Sequence, residues 1–217
     1  MSRAATGYPT DRTIRYNGGM TLQPIEQITT DVPLIEAILT EWRSVLRGDY
    51  AAYRGHVYRV YIYCVALADH VEELESKTAV AACFHDLAIW THRTLDYVEF
   101  SAEIACQYLH HRLRRPEWEP DITRMIRFHH QLTPYYRPQP RQLPHTLGEN
   151  RQLIESFRRA DLIDLSLGAI TFGLPYGFIQ ATRRAFPPAG FYWRLVQLNL
   201  AWSLRHPLRP LPMLRRQ

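Results

Sequence analysis

The 217 residues are enough for one domain of ordinary to large size. Apolar residues make up 46% of the chain, so it can bury a core, which excludes the disordered and fibrous classes for most of its length. The formal net charge is +5, but the 26 basic residues are scattered among 21 acidic ones, so we expect no nucleic-acid partner.

The first 20 residues are polar and contain no apolar signal segment. The longest uncharged run, residues 165–182, is interrupted by glycines and a proline, which is typical of buried core rather than of a membrane helix. We therefore expect a cytoplasmic protein with no membrane span. The three cysteines lie in apolar helical stretches without CxxC spacing, which indicates buried thiols rather than disulfides.

Apolar residues recur with helical spacing through most of the chain, and no segment alternates as a strand would. The predicted helices lie at about residues 33–46, 53–70, 76–88, 101–113, 122–129, 150–164 and 191–204. The sequence therefore predicts an all-α fold in a single domain.

The domain is expected to span residues 30–213, after a flexible N-terminal lead over residues 1–29. Residues 134–148 are rich in proline and are predicted to form an ordered loop or lid over one face. The remainder, residues 165–213, is an apolar C-terminal extension, which could complete the core or cover a partner such as a second copy of the chain.

Several polar side chains fall on faces that are otherwise apolar. His56 begins one predicted helix, and His85 with Asp86 ends a helix whose preceding residues are AVAACF. Asp161 and His129 lie on the inner stripes of two later helices, and so does Asp164. A buried carboxylate needs compensation, and imidazoles with carboxylates form the ligand set of Mn²⁺, Fe²⁺, Co²⁺, Ni²⁺ or Zn²⁺. One such residue alone would indicate a hydrogen-bonded core residue, whereas the group together indicates a metal site.

Five segments with these residues resemble, in order, the HD superfamily of metal-dependent phosphohydrolases. They are GHVYRVYIYCVAL, AVAACFHDLAIW, DYVEFSAEIACQYL, ITRMIRFHH and FRRADLIDLSLG. The resemblance covers about residues 50–168 and implies an HD-type helical bundle. It also implies that one divalent metal is held by the ligands His56, His85, Asp86 and Asp161.

A second metal would need further histidines, and His129 or His130 could supply them. His110 and His111 end a helix beside several arginines, so we expect them in solvent. Ser101 stands where two-metal relatives often carry a histidine, which favours one metal.

The resemblance implies hydrolysis of a small-molecule substrate, such as a phosphate ester or nucleotide, by a metal-activated water. Asp96, Glu99 and Asp164 are the candidate carboxylates for taking the proton from that water.

Positive charge for a substrate phosphate could come from Arg59 or Arg93, and His129 could also contact the substrate. For Arg59, an ion pair with an acid on a neighbouring helix is an equally good interpretation.

Three alternatives remain open. Some HD relatives resemble cyanamide hydratase and hydrate a small nitrile at one zinc. Others resemble myo-inositol oxygenase and use two irons with O₂, for which Ser101 removes an expected ligand. The third is a non-catalytic HD module that binds a partner through the apolar C-terminal extension, which contains Trp193 and Trp202.

Overall fold

The helices of the protein surround one central helix that is buried on almost every side. The computed structural model describes residues 28–68, 71–135 and 150–208, together with Pro212. Its α-helices are α1 (Pro33–Glu41), α2 (Arg43–Leu46), α3 (Tyr50–Leu67), α4 (Leu74–Phe84), α5 (Ala88–Thr91), α6 (Val98–Tyr108), α7 (Glu119–Phe128), α8 (Arg151–Leu165), α9 (Tyr176–Ala185) and α10 (Phe191–Arg205). No strand occurs in this part of the chain, so the prediction of an all-α fold is confirmed.

The central helix is α3, and it packs most extensively against α8 and α4. It has no polar face, because all but one of the residues from Ala52 to Cys64 are buried. A helix that is apolar or paired all round belongs in the middle of a bundle. Its polar side chains must therefore find partners inside the protein, and two of them, His56 and Arg59, do so at the site described below.

Local sequence explains where several helices begin. Pro33 occupies the first turn of α1, where its missing N–H costs nothing. The side chain of Asn150 caps α8 by accepting a hydrogen bond from the backbone N–H of Leu153 at 3.0 Å. Gly190, with φ of 89°, makes the left-handed turn that starts α10.

The structure differs from the predicted helices near Trp42 and in the segment after α8. The first predicted helix divides at Trp42, whose N–H bonds to Leu39 O three residues back and separates α1 from α2. Helix α9 was not predicted, because Gly177 and Pro175 obscure its period. In the run predicted as buried core, Leu167 and Ile170 are exposed.

Parts of the predicted organisation lie outside the described residues. The N-terminal lead is described only at residues 28–29, and the proline-rich loop only at residues 134–135.

The outer face of α10 carries exposed apolar side chains, which leaves the expectation of a homodimer open. They are Trp193, Val196, Leu200 and Leu204. Within the described ranges, no helix is long and apolar enough to cross a membrane.

We predict that Gly55→Ala lowers the free energy of unfolding. A Cβ at this position on α3 would lie 2.9 Å from the backbone oxygen of Pro187 and 3.1 Å from Arg59 Nη1. Because the oxygen belongs to the backbone that leads into α10, we expect a loss of about 1–3 kcal/mol despite the better helix propensity of alanine. Urea denaturation followed by circular dichroism measures the change.

Gly177→Ala is the matched control, since it makes the same substitution in α9 with no atom within 4 Å of the new Cβ. It should leave stability unchanged or raise it by up to about 1 kcal/mol. Equal effects of the two substitutions would show that the close approach at Gly55 does not constrain the bundle.

Candidate metal centre

Three helices and the turn after α4 bring six polar side chains into one buried cluster, which we call the histidine–aspartate cluster. Its members are His56 from α3, His85 and Asp86 from the turn after α4, His129 and His130 from the end of α7, and Asp161 from α8. His130 has the largest exposed side-chain fraction, 15%, and the other five are at most 4% exposed. Access from solvent is therefore on the His130 side.

The predicted ligand atoms lie at separations that suit a shared cation. His56 Nε2 is 2.9 Å from His85 Nε2, 3.5 Å from Asp86 Oδ2 and 3.7 Å from Asp161 Oδ1. His85 Nε2 is 3.5 Å from the same Asp86 oxygen and 3.9 Å from the same Asp161 oxygen. Ligands about 2.0–2.2 Å from one ion lie roughly 2.9–3.6 Å from each other, so these five separations are near those of ligands that share a cation. Ligand atoms of His56, His85 and Asp161 all lie within 4.8 Å of one another, and so do those of His85, Asp86 and His129.

Three imidazoles are oriented through their Nδ1 atoms. Nδ1 of His56 is 2.7 Å from Asp164 Oδ2, and Nδ1 of His85 is 2.8 Å from the carbonyl oxygen of Ala82. Nδ1 of His129 is 2.5 Å from the carbonyl oxygen of Ile126. Each acceptor favours the proton on Nδ1 and leaves the Nε2 lone pair directed into the cluster, which is the arrangement of metal-binding histidines.

Several buried atoms of the cluster have no hydrogen-bond partner. Both carboxylate oxygens of Asp161 and Nε2 of His129 are in this state. An unpartnered buried carboxylate is costly, and burial raises the pKa of Asp161. Because the surrounding atoms are lone pairs rather than N–H or O–H donors, a cation satisfies them better than a further hydrogen bond. The residues present therefore fit a divalent metal.

The electrostatics of the histidines agree with this interpretation. Burial lowers the pKa of His85 to about 3, so its imidazole is neutral and free to act as a ligand. For His56, burial acts in the same direction, but Asp164 and Asp86 outweigh it and raise the pKa to about 9. A proton on His56 and a metal ion are alternative ways to balance the same carboxylates, so we expect metal binding to displace protons.

The two carboxylates also face the other two histidines of the cluster. Asp86 Oδ1 is 3.4 Å from His129 Nε2, and Asp161 Oδ2 is 3.8 Å from His130 Nδ1. Each aspartate thus directs one oxygen towards His56 and His85 and the other towards His129 or His130. The position of His129 is the inward one that its helical stripe predicts.

Asp164 lies beside the cluster but is fully engaged. It accepts hydrogen bonds from Arg59 Nε at 2.5 Å, Arg59 Nη2 at 2.9 Å and the Tyr192 hydroxyl at 2.9 Å, in addition to His56. Against the cost of burial, His56 and Arg59 hold the pKa of this carboxyl well below its usual range. We therefore correct the expectation that Asp164 could take a proton from water, because it orients His56 instead.

The contacts of Arg59 differ from the expected contact with a substrate phosphate. Its side chain is fully buried, and it donates to the carbonyl oxygen of Phe186 at 3.0 Å as well as to Asp164. The ion pair considered as the alternative is the arrangement that the structure has.

Three further candidates lie away from the histidine–aspartate cluster. Asp96 and Arg93 are exposed, and Arg93 lines a separate cavity. Glu99 is exposed and forms an ion pair with Arg127 at 2.8 Å. These positions do not test the expectation that the loop after His85 and Asp86 supplies the base and the phosphate contact, which stays a prediction.

Other residues at the cluster were not predicted. Tyr97 is buried and donates its hydroxyl to Asp86 Oδ1 at 2.6 Å, and it also contacts His130 Nε2. The Phe191 ring stacks on His56 at 4.1 Å between centroids. The Ser101 hydroxyl accepts a hydrogen bond from the backbone N–H of Ala88 at 3.2 Å, which fixes the turn that follows His85 and Asp86. Tyr97 precedes α6 and lies outside any helical period, so no sequence signal identified it.

The comparisons with known proteins agree with this site. A family model described as "HD domain" matches residues 53–164, just over half of the chain. Searches of curated proteins and of solved structures gave no significant match. The matched range begins in α3 and ends at Asp164, so it includes every residue of the histidine–aspartate cluster. The chain therefore belongs to the HD domain family.

Proposed function

We propose that the protein is a metal-dependent hydrolase, with a small phosphate ester or nucleotide as its substrate. The observation that carries the proposal is the set of imidazole Nε2 atoms directed at the buried carboxylates of Asp86 and Asp161, of which Asp161 has no hydrogen-bond partner on either oxygen. His56, His85, Asp86 and Asp161 would hold the cation. When bound, such a cation lowers the pKa of a water molecule and polarises a substrate oxygen.

The remaining side chains of the cluster have roles that follow from their contacts. Tyr97 orients Asp86 by donating its hydroxyl to the oxygen that faces His129. His130 is the most exposed member, so it meets the substrate first. His129 Nε2 has no hydrogen-bond partner and lies 3.4 Å from Asp86 Oδ1, so it can contact the substrate or a second cation.

The number of cations follows from how Asp86 and Asp161 are used. One cation between His56 and His85 satisfies one oxygen of each carboxylate. His129 and His130 face the other oxygen of each and would support a second cation. We propose one cation as the resident form, since Tyr97 already donates to the Asp86 oxygen that a second cation would need.

A second candidate function is hydration of a small uncharged substrate such as a nitrile. The observation that favours it is the closed, aromatic surroundings of the cluster. Phe191 stacks on His56, and Phe157 lies edge-on to His85 at 5.6 Å between centroids. Neither Arg59 nor Arg93 reaches the cluster to balance a phosphate, so the choice between the two substrate classes rests on assay.

We predict that His85→Ala and Asp86→Ala each abolish tight metal binding. Either change removes a ligand atom from the set that surrounds one cation, and loss of a ligand weakens the remaining coordination. Elemental analysis of the purified protein should give about one metal per chain for the wild type, in keeping with one set of ligands.

His111→Ala is the matched control, because His111 is exposed and outside the histidine–aspartate cluster. It should keep the wild-type metal content. Unchanged metal content in both His85→Ala and Asp86→Ala would refute the ligand assignment. His129→Ala tests the number of cations, since it lowers the content only if a second cation is bound.

We further predict hydrolysis of nucleoside monophosphates, cyclic nucleotides or generic phosphomonoesters by the metal-loaded protein. The Asp86→Asn variant should lose at least about 100-fold in rate, because metal catalysis supplies several kcal/mol. Small nitriles are assayed in parallel with the zinc-loaded protein. Turnover of nitriles without turnover of any phosphate ester would select the second candidate, and no difference between wild type and Asp86→Asn on any substrate would reject both.

A further inference from the structure

A cavity lies apart from the histidine–aspartate cluster, between α2, α5 and α10. Its volume is about 1020 Å³, and no member of the cluster lines it. Pockets for small organic ligands have volumes of about 300–1000 Å³, so this cavity can accept a molecule larger than a single phosphate ion. We call it the arginine cavity, after Arg47, Arg93, Arg194 and Arg205 in its wall.

The lining of the arginine cavity carries a strong excess of positive charge. Among the described residues, the one acidic residue that lines it is Asp49, which already accepts from Arg194 Nε at 3.0 Å and from the Trp90 indole N–H at 2.9 Å. In the described part of the chain, no ion pair or hydrogen bond engages the side chains of the other three arginines. A concave wall with three uncompensated guanidinium groups focuses positive potential on whatever enters it.

Two of these arginines are held in unusual backbone conformations. Arg47 has φ of 50° and Arg93 has φ of 53°, in the left-handed region that non-glycine residues rarely adopt. Glycine would relieve this strain at either position, but it would remove the guanidinium from the cavity wall. Positive φ also occurs at Glu73, Arg114 and three other described residues, so what sets Arg47 and Arg93 apart is their position in the cavity wall.

The rest of the wall is aromatic and apolar. Trp42, Trp90 and Trp202 line the cavity and are half-buried. Guanidinium groups match the oxygens of phosphates, and tryptophan rings pack against planar organic groups. The combination suits a molecule with both parts better than an inorganic anion.

We propose that the arginine cavity binds a small molecule that joins several phosphate charges to a planar ring, which is the chemistry of a nucleoside polyphosphate. The phosphates lie against Arg47, Arg93 and Arg205, and the ring lies against the tryptophans. This site is separate from the proposed hydrolytic site and does not depend on it.

Isothermal titration calorimetry of the full chain with ATP, tripolyphosphate and adenosine tests the proposal. ATP should bind more tightly than either of its parts. The double variant Arg93→Ala/Arg205→Ala should weaken ATP binding at least about tenfold, or about 1.4 kcal/mol. Both substituted residues are exposed, so the variant should fold, and circular dichroism checks this.

Arg184→Ala is the matched control, since Arg184 is exposed on α9 and does not line the cavity. It should bind ATP as the wild type does. ATP that binds the double variant with wild-type affinity lies elsewhere, for example at the histidine–aspartate cluster, and overturns the proposal, as does the absence of any ATP binding to the wild type. Tripolyphosphate binding as tightly as ATP would overturn the role of the ring. Because the readout is binding and not turnover, failure here is distinct from failure of the proposed hydrolysis.

Discussion

The burial of Asp86 and Asp161 among imidazole side chains is the constraint on which the site depends. Transferring a carboxylate out of water costs several kcal/mol or more unless an opposite charge or hydrogen bonds compensate it, and Asp161 has no such bond. The helices that contribute to the cluster come from distant parts of the sequence, so the bundle cannot close without bringing these carboxylates together. A cation at this point would therefore contribute to folding as well as to chemistry, since it binds the native state and not the unfolded chain.

A second layer of contacts keeps the histidine–aspartate cluster in place, and much of it comes from the C-terminal part of the chain. Arg59 and Asp164 form a fully buried ion pair whose carboxylate also accepts from His56. Phe186 supplies a carbonyl oxygen to Arg59, Tyr192 donates to Asp164, and Phe191 stacks on the His56 ring. These three residues lie beyond the range matched by the family model, residues 53–164. The apolar C-terminal extension therefore completes the metal centre, in addition to whatever its exposed face on α10 contacts.

The sequence was informative where one helix fixes which way a side chain faces. His129 and Asp161 share stripes with apolar residues, and both are buried in the cluster. The sequence could not decide whether Arg59 contacts a substrate or forms an ion pair. A helical stripe predicts that the side chain faces inward, but it does not identify Asp164, 105 positions away, as the partner. It could not orient Asp96 and Glu99, because the loop after His85 and Asp86 has no helical period, and both side chains are exposed. Tyr97 and Phe191 act through tertiary contacts with elements far along the chain, and no local spacing reports such contacts.

The most direct test of the central claim is the position of the metal in crystals of the metal-loaded protein, located by anomalous X-ray diffraction at the absorption edge of that metal. The account predicts a peak between His56 and His85, about 2.0–2.2 Å from Nε2 of each ring and from one oxygen of Asp86 and of Asp161. A second peak between the same two carboxylates, near His129 and His130, would extend the site to two cations without moving the first. A fully loaded protein whose anomalous peak lies elsewhere, with the side chains of His56, His85, Asp86 and Asp161 arranged as here but bound to no metal, would contradict it.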